Sequence, residues 1–406
     1  MIHISEAKKL VWENTCVLGK EKIDLVSSLG RTIAENILSN FDIPPFERSA
    51  MDGFAIIAED TNSASEENPV FLEIVGEIKA GDEVENLSIE KGKTFSIMTG
   101  AKIPQNANAV VKIEDVETVF KGGKEYIKII EPVKPGENIS KKGEDIKKGE
   151  VVIKKGTYID AAVFAMLAYL GRKKVVVYKQ PKIGILATGD EIKKIGQKLK
   201  EGEVYDANSY SIYALTKKYG GQPHMLGIAK DDPKILDKFI KKGLKYDMFI
   251  ISGGVSEGKY DIVVDVLRKN GVKLIFHKVA VKPGKPTFFG KKGKTVVFGL
   301  PGYPVSTYIN FENLVKVALY KMTGREQPQR FKFVGVMKEN VENKGDRDEF
   351  LRVIAEVEDN GVYITPYRSQ KSGVLSSVLY SNAILYLKKG EKIKKGEKVV
   401  VEYLEK

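Results

Sequence analysis

Apolar and polar positions fall into differently patterned stretches along the chain. Residues 5–15 and 21–30 carry helix-compatible spacing around a short break, and Gly30 ends the second stretch. From about 70 to 131 short β-branched runs take over, at 71–75, 94–98, 109–113 and 126–130. Turn clusters such as Lys121-Gly122-Gly123-Lys124 separate them, which predicts a small β-rich domain. Residues 134–157, rich in Gly and Lys, read as loops with short strands. A helical stretch at 160–170 then stops at Gly171; packed back on the N-terminal helices, it would make the β-rich part an insertion.

The segment 175–323 is more regular. Strand-like runs at 182–187, 224–229, 247–251, 272–277 and 294–298 alternate with helix-like runs at 208–219, 233–242, 260–269 and 304–322. That alternation predicts a mostly parallel sheet covered by helices. Apolar runs at 331–337, 350–356, 361–365, 383–387 and 397–403 then return to a β pattern, as in a small barrel or sandwich. The fold class expected is therefore multidomain α/β and β. An N-terminal helical part (1–44 and 140–174) is interrupted by a β-rich insertion (45–139), and an α/β domain (175–326) and a C-terminal β-barrel (327–406) follow.

An open α/β sheet binds ligands beyond the carboxyl ends of its strands. The loops expected there are Ala187-Thr188-Gly189-Asp190-Glu191, Lys230-Asp231-Asp232, the stretch "SGGVSEGKYD" at 252–261, His277 to Pro286, and Gly299-Leu300-Pro301-Gly302-Tyr303-Pro304. Each has a plain structural use. Asp190 suits a helix cap, and Asp231 or Asp232 followed by Pro233 suits a helix start. "KPGKP" suits a rigid turn. "LPGYP" precedes a helix N-terminus, which also accepts anions. Convergence favours function. Glu191, Asp231 and Asp261 offer oxygen ligands for Mg²⁺. Ser252, Gly253 and Gly254 let backbone amides approach an anion. Lys278, Lys282 and Lys285 supply positive charge. A ligand carrying phosphate, with its metal, fits that mixture.

Composition narrows the classes. At 406 residues the chain is too long for one ordinary core. A single cysteine, Cys16, excludes an internal disulfide and a cysteine zinc cluster. The net charge of +12 raises nucleic-acid binding, yet only nine of the 66 basic residues are arginine, and lysine is spread among glutamates. No nucleic-acid partner is expected. The apolar run at 161–170 is too short to span a bilayer, and no apolar segment of signal-peptide type follows the N-terminus, so no membrane partner and a cytoplasmic location are expected. Neither a P-loop nor a G-x-G-x-x-G fingerprint is present, which disfavours ordinary NTPase and NAD(P) chemistry.

Seven stretches together resemble the MoeA/gephyrin E-domain family: "IPPFERSAMDGFA" (43–55), "MTGAKIP" (98–104), "TGDE" (188–191), "YDAN" (205–208), "SGGVSEGKYD", "KPGKP" (282–286) and "LPGYPVS" (300–306). The resemblance runs in order over nearly the whole chain. It implies the four-part fold described above and a dimer whose cleft lies between the α/β domain of one subunit and the inserted domain of the other. The implied reaction is insertion of molybdate or tungstate into adenylylated molybdopterin with release of AMP, dependent on Mg²⁺ or a similar ion. Asp52, Thr99 and Gly100 would face the cleft from the inserted domain. Glu191, Asp231 and Asp261 would form the acidic set, with Thr188, Gly189 and Asp190 beside it. Lys278 and Lys282 would hold oxyanion and phosphate, while Pro301, Gly302 and Pro304 shape the last loop. Arg352 and Ser372 would close the site from the C-terminal domain. Tyr303 stands where the family often has Asn. The same resemblance leaves two alternatives, a molybdopterin adenylyltransferase and a non-catalytic gephyrin-like scaffold. Transient contact with an adenylyltransferase that supplies the substrate is a further implied partnership.

Overall fold

The computed structural model describes residues 1–254 and 262–405. The chain forms two compact units, one of residues 1–35 with 155–406 and one of residues 36–154.

In the first unit, six strands are labelled here in chain order: β1 (Lys182–Thr188), β2 (Gln222–Ala229), β3 (Met248–Ser252), β4 (Lys273–His277), β5 (Phe288–Lys292) and β6 (Thr295–Leu300). Their order across the sheet is β2-β1-β3-β6-β5-β4. The pairs β1–β2, β1–β3 and β3–β6 are parallel, so the sheet is mostly parallel as its alternating pattern predicts. β5 runs antiparallel to both β6 and β4, which the sequence reading missed. The expected loop runs from His277 to Pro286 and no strand is expected between it and 294, because "KPGKP" and the Lys292-Gly293-Lys294 turn dominate the local pattern. The turn is in fact the tip of a hairpin. β3 is buried at every position, so its continuous Met-Phe-Ile-Ile run contacts helices on both faces. Each such side chain contributes roughly 1.5–3 kcal/mol on burial.

Helices α1 (Asn208–Lys218), α2 (Pro233–Gly243) and α3 (Ile262–Lys269) fall where the periodicity predicts. A long helix over 304–322 packs with the N-terminal helix Ile4–Asn14 on one face of the sheet, through Leu314, Val315 and Ala318 against Ala7 and Val11. The expected second N-terminal helix at 21–30 is instead a strand, Lys20–Asp24, and a short 3₁₀ turn. The strand pairs with Lys174–Tyr178, and tertiary pairing of alternating Lys-Glu-Lys-Ile-Asp outweighs its helix-like composition. The helix Ala161–Tyr169 forms as expected, capped by Asp160, whose carboxylate accepts from the Val163 N–H.

Five strands close a barrel at the C-terminus: Asp348–Glu358, Gly361–Pro366, Lys332–Met337, Lys398–Tyr403 and Ala383–Leu387, the last pairing back to the first. A short strand from the α/β domain, Val281–Lys282, adds to the barrel in parallel with Asp348 and Glu349.

The second unit carries its own six-stranded sheet. Gly53–Ile56 is buried throughout, alternating between a core with Leu72 and Ile127 and another with Ile78 and Ile97. Among the described residues no helix is long and apolar enough to cross a membrane.

A crevice at the carboxyl ends of the parallel strands

The connection leaving β1 runs to β2 on one side, while the chain then crosses back to β3 on the other. The loops must part between β1 and β3, and a cavity of about 650 Å³ opens there. It is lined by Thr188 and Glu191 after β1, Ser252 to Gly254 after β3, and Pro301 to Pro304 after β6.

Thr188 is buried, and its hydroxyl has no hydrogen-bond partner among the described residues. Asn208, at the start of α1, donates to Ser252 Oγ and to the Gly302 carbonyl, each at 2.8 Å. Its own side-chain carbonyl lacks a partner among the described residues. Asn208 thus ties three loops together and keeps one acceptor spare in the crevice. "YDAN" contained it, but with one sequence nothing marked the Asn above its neighbours.

The glycine pair has two reasons to exist. Both residues have positive φ, +89° at Gly253 and +66° at Gly254. A Cβ at Gly253 would lie 2.3 Å from the Thr188 carbonyl oxygen, and one at Gly254 2.6 Å from Thr188 Oγ1. The close approach of β1 and β3 therefore demands glycine before any ligand is considered. The Gly253 amide, expected to serve an anion, donates instead to the Leu300 carbonyl at 3.1 Å. Asp261, together with Glu257 and Lys259, lies outside the described residues.

Acidic groups gather on one side. Asp232 caps α2, accepting from the N–H groups of Lys234 and Ile235, which frees Asp231 from that duty. No helix follows Asp190, so its expected capping use does not arise. Partial removal from water, then the charges of Asp190 and Glu191, hold the Asp231 carboxyl above the usual range for an aspartate. Among the described residues no three carboxylates are grouped closely enough to hold a metal ion, so Asp190 and Glu191 act on Asp231 through the field of their charges.

Cationic groups gather on the other side. A second cavity of about 790 Å³ shares Pro286, Pro301, Tyr303 and Gly373 with the first, and Lys282, Lys285, Arg347 and Lys371 line it with Ser372. Lys282 pairs with Glu349 of the barrel at 3.1 Å, and Glu349 is buried. Gly284 has φ +111°, and Asn310 from the long helix donates to its carbonyl at 2.8 Å. The barrel loop docks here too, the Val305 N–H donating to the Ser372 carbonyl at 3.1 Å. Lys278, with φ +81°, belongs to the same connection; its N–H donates to Thr287 and its carbonyl accepts from the Ile2 N–H.

Arg352 is placed differently from expectation. It is fully buried in the barrel, donating to the Phe350 carbonyl at 3.0 Å and to Ser377 Oγ at 3.3 Å. Burial lowers its guanidinium to about 10, Glu349 opposing. Gln370 binds the backbone of Arg352 in both directions. The guanidinium lining the cavity is that of Arg347, five residues earlier, which the sequence reading passed over. Alternation in "DRDEFLR" put both arginines at plausible positions, and closure of the barrel turned one inward.

In the second unit, Asp52 and Thr99 meet: the Thr99 N–H and hydroxyl both donate to Asp52 Oδ1 at 2.7 Å. These bonds, the backbone one foremost, hold the Asp52 carboxyl below its usual range. Gly100, with φ +83°, donates its N–H to the Ser49 carbonyl. Residues 47 positions apart in sequence are thus adjacent.

Three sequence families match the chain in order: the MoeA N-terminal region (domain I and II) over residues 2–171, a probable molybdopterin binding domain over 184–321, and the MoeA C-terminal region (domain IV) over 334–404. A molybdopterin molybdenumtransferase from Bacillus subtilis is 34% identical over 91% of this chain and 86% of its own length. This chain belongs to the MoeA family. A solved molybdopterin biosynthesis MoeA protein from Pyrococcus horikoshii superposes with a TM-score of 0.85 at 37% identity, each chain covered in full. A molybdopterin molybdenumtransferase from Staphylococcus epidermidis is 34% identical over 96% of this chain and 92% of its own. The MoeA fold therefore extends over the whole length of this chain.

Proposed function

We propose that this chain is a molybdopterin molybdenumtransferase acting in molybdenum cofactor biosynthesis. It inserts molybdate or tungstate into adenylylated molybdopterin and releases AMP. The observation that carries the reading is a pair of adjoining cavities, one lined by Glu191, which with Asp190 acts electrostatically on Asp231, the other lined by Lys282, Lys285 and Arg347. The full-length relatives that bear the molybdenumtransferase name support it.

Such a pair of cavities fits the reaction. A tetrahedral oxyanion needs cationic donors, and lysines with an arginine provide them. The substrate's phosphoanhydride carries negative charge that grows on the AMP side as water cleaves it. Glu191 and Asp231, together with Asp261 outside the described residues, would hold a divalent ion such as Mg²⁺, whose charge would offset the repulsion that Asp190 and Glu191 exert on Asp231. When bound, that ion neutralises phosphate charge and activates the anhydride. Asn208 and Thr188 offer polar atoms for the substrate where the loops part. Asp52, fixed by Thr99, would act from the inserted domain of a second copy in a homodimer. A cytoplasmic setting and transfer of the adenylate from an adenylyltransferase complete the proposal.

Release of AMP from adenylylated molybdopterin, measured with Mg²⁺ and with or without molybdate or tungstate, tests it. Oxyanion-dependent release with metal retained on the pterin is expected. ATP-dependent adenylylation of molybdopterin, indifferent to oxyanion, would instead identify the adenylyltransferase. Tight binding of the adenylate without any release would identify a scaffold.

A further inference from the structure

The helix over 304–322 is not uniformly wound. Residues Phe311–Val315 make a π turn between α-helical halves. The π turn and the residues after it place Glu312 and Lys316 on the wall of a further cavity of about 750 Å³. Lys8 of the N-terminal helix, Arg330 and Lys332 at the entry to the barrel, and Glu402 of the last strand complete its charged lining. It shares no lining residue with the two crevice cavities.

Four cations face two carboxylates here, and the carboxylates are already shared. Arg330 donates to Glu402 at 2.9 Å and lies 3.6 Å from Glu312. Lys316 is 3.8 Å from Glu312, Lys332 is 3.8 Å from Glu402, and the Tyr219 hydroxyl donates to Glu312 at 2.5 Å. The Lys8 side chain makes no hydrogen bond or ion pair with the described residues, and Glu402 reaches it only through the field of its charge. The Arg330 side chain is nine-tenths buried, and its Nη2 has no hydrogen-bond partner among the described residues. Burial foremost, then the charge of Arg330, lowers the Lys8 ammonium to about 8. Cations removed from water in excess of their counter-ions are costly, and a bound dianion would balance them.

We propose that this cavity binds a tetrahedral dianion of the phosphate class, as the free ion or as the phosphoryl group of a small ester, on Lys8, Lys316, Arg330 and Lys332. Two net positive charges match a dianion, and the guanidinium fork suits phosphate oxygens. Val317, Pro328 and Phe331 give the cavity an apolar wall for the body of an ester. The proposal is independent of the reaction assigned to the crevice.

Calorimetric titration of the full-length protein in chloride buffer tests it, with inorganic phosphate, sulfate and glycerol phosphate as probes. Wild type is compared with Lys8→Gln, Lys332→Gln and Lys282→Gln. A saturable event separate from any oxyanion binding at the crevice is expected, weakened at least about tenfold in Lys8→Gln and in the exposed Lys332→Gln, and unchanged in Lys282→Gln. Tighter binding of glycerol phosphate would assign the ester, tighter binding of phosphate the free ion. Absence of saturable binding below about 10 mM overturns the proposal. So does equal affinity in the Lys8 and Lys332 variants with an unchanged Tm, or loss of the event in Lys282→Gln, which would place it in the crevice.

Discussion

Alanine at Gly284 would carry a Cβ 2.3 Å from Asn310 Nδ2 and 2.7 Å from its Oδ1, in a backbone with φ +111°. Neither partner has room to yield, since Asn310 is fully buried and its amide holds the Gly284 carbonyl at 2.8 Å and Thr287 Oγ1 at 2.5 Å. Positive φ costs a residue with a side chain about 1–3 kcal/mol. Pushing the Asn310 amide aside breaks two buried hydrogen bonds, at about 0.5–1.5 kcal/mol each, while the Thr287 hydroxyl still donates to the Gly284 carbonyl. The native loop therefore becomes less favourable by at least about 2 kcal/mol, and the loop should leave its seat before the domain unfolds. Lys282 and Lys285 would move with it. Oxyanion-dependent AMP release should fall about a hundredfold, with Tm lowered by only a few degrees. The double variant Gly284→Ala/Asn310→Ala removes the steric conflict and should recover part of the activity over Gly284→Ala alone. Wild-type Tm and turnover in Gly284→Ala would refute the reasoning, as would a double variant no better than the single one.

Three other outcomes follow from the same geometry. The raised Asp231 carboxyl keeps its proton to a higher pH than an ordinary aspartate near 4, so Mg²⁺ must displace that proton and its affinity should fall earlier on acidification. Asp190→Asn should shift the midpoint of Mg²⁺ binding to lower pH; an unmoved midpoint would disprove the coupling. Thr99→Val deletes one of two donors to Asp52, so the carboxyl, titrated by ¹³C NMR, should rise toward its usual range, while Thr99→Ser keeps it low. Arg352→Ala should lower Tm sharply, costing about 3–5 kcal/mol as buried partners are stranded, whereas Arg347→Ala should raise the KM for oxyanion at unchanged Tm. The reverse pattern would return Arg352 to the crevice.

What could be read in the sequence depended on how local the deciding force was. The parallel strands announced themselves through continuous apolar runs such as 248–251, and the helices through spacing and through caps such as Asp160 and Asp232. β5 was hidden because its two phenylalanines directly follow a proline-rich loop, and only pairing with β6 gives them a strand's role. Residues 21–30 misled for a similar reason, since Lys20–Asp24 is extended only because Lys174–Tyr178 lies beside it. At the crevice, the loops could be named from strand order alone, whereas the side chains that knit them could not. Glu349 meets Lys282, Asn208 meets Ser252, and Asn310 meets Gly284 across separations that no local pattern encodes. The opposed fates of Arg347 and Arg352 turn on where the barrel strand begins, since Arg352 lies within Asp348–Glu358 and is buried, whereas Arg347 precedes it in the loop.

The pairing of Val281–Lys282 with Asp348 and Glu349 makes Lys282 a passenger of two domains at once. Its backbone is spliced into the barrel, yet its loop is pinned by the long helix of the α/β domain through Asn310. A rocking of the barrel by even an ångström would pull the ammonium along while the acidic groups stayed with β1 and β2. The distance between those groups and Lys282 is then a mechanical coordinate, set by how firmly the barrel seats, and a ligand bridging them would clamp the barrel down.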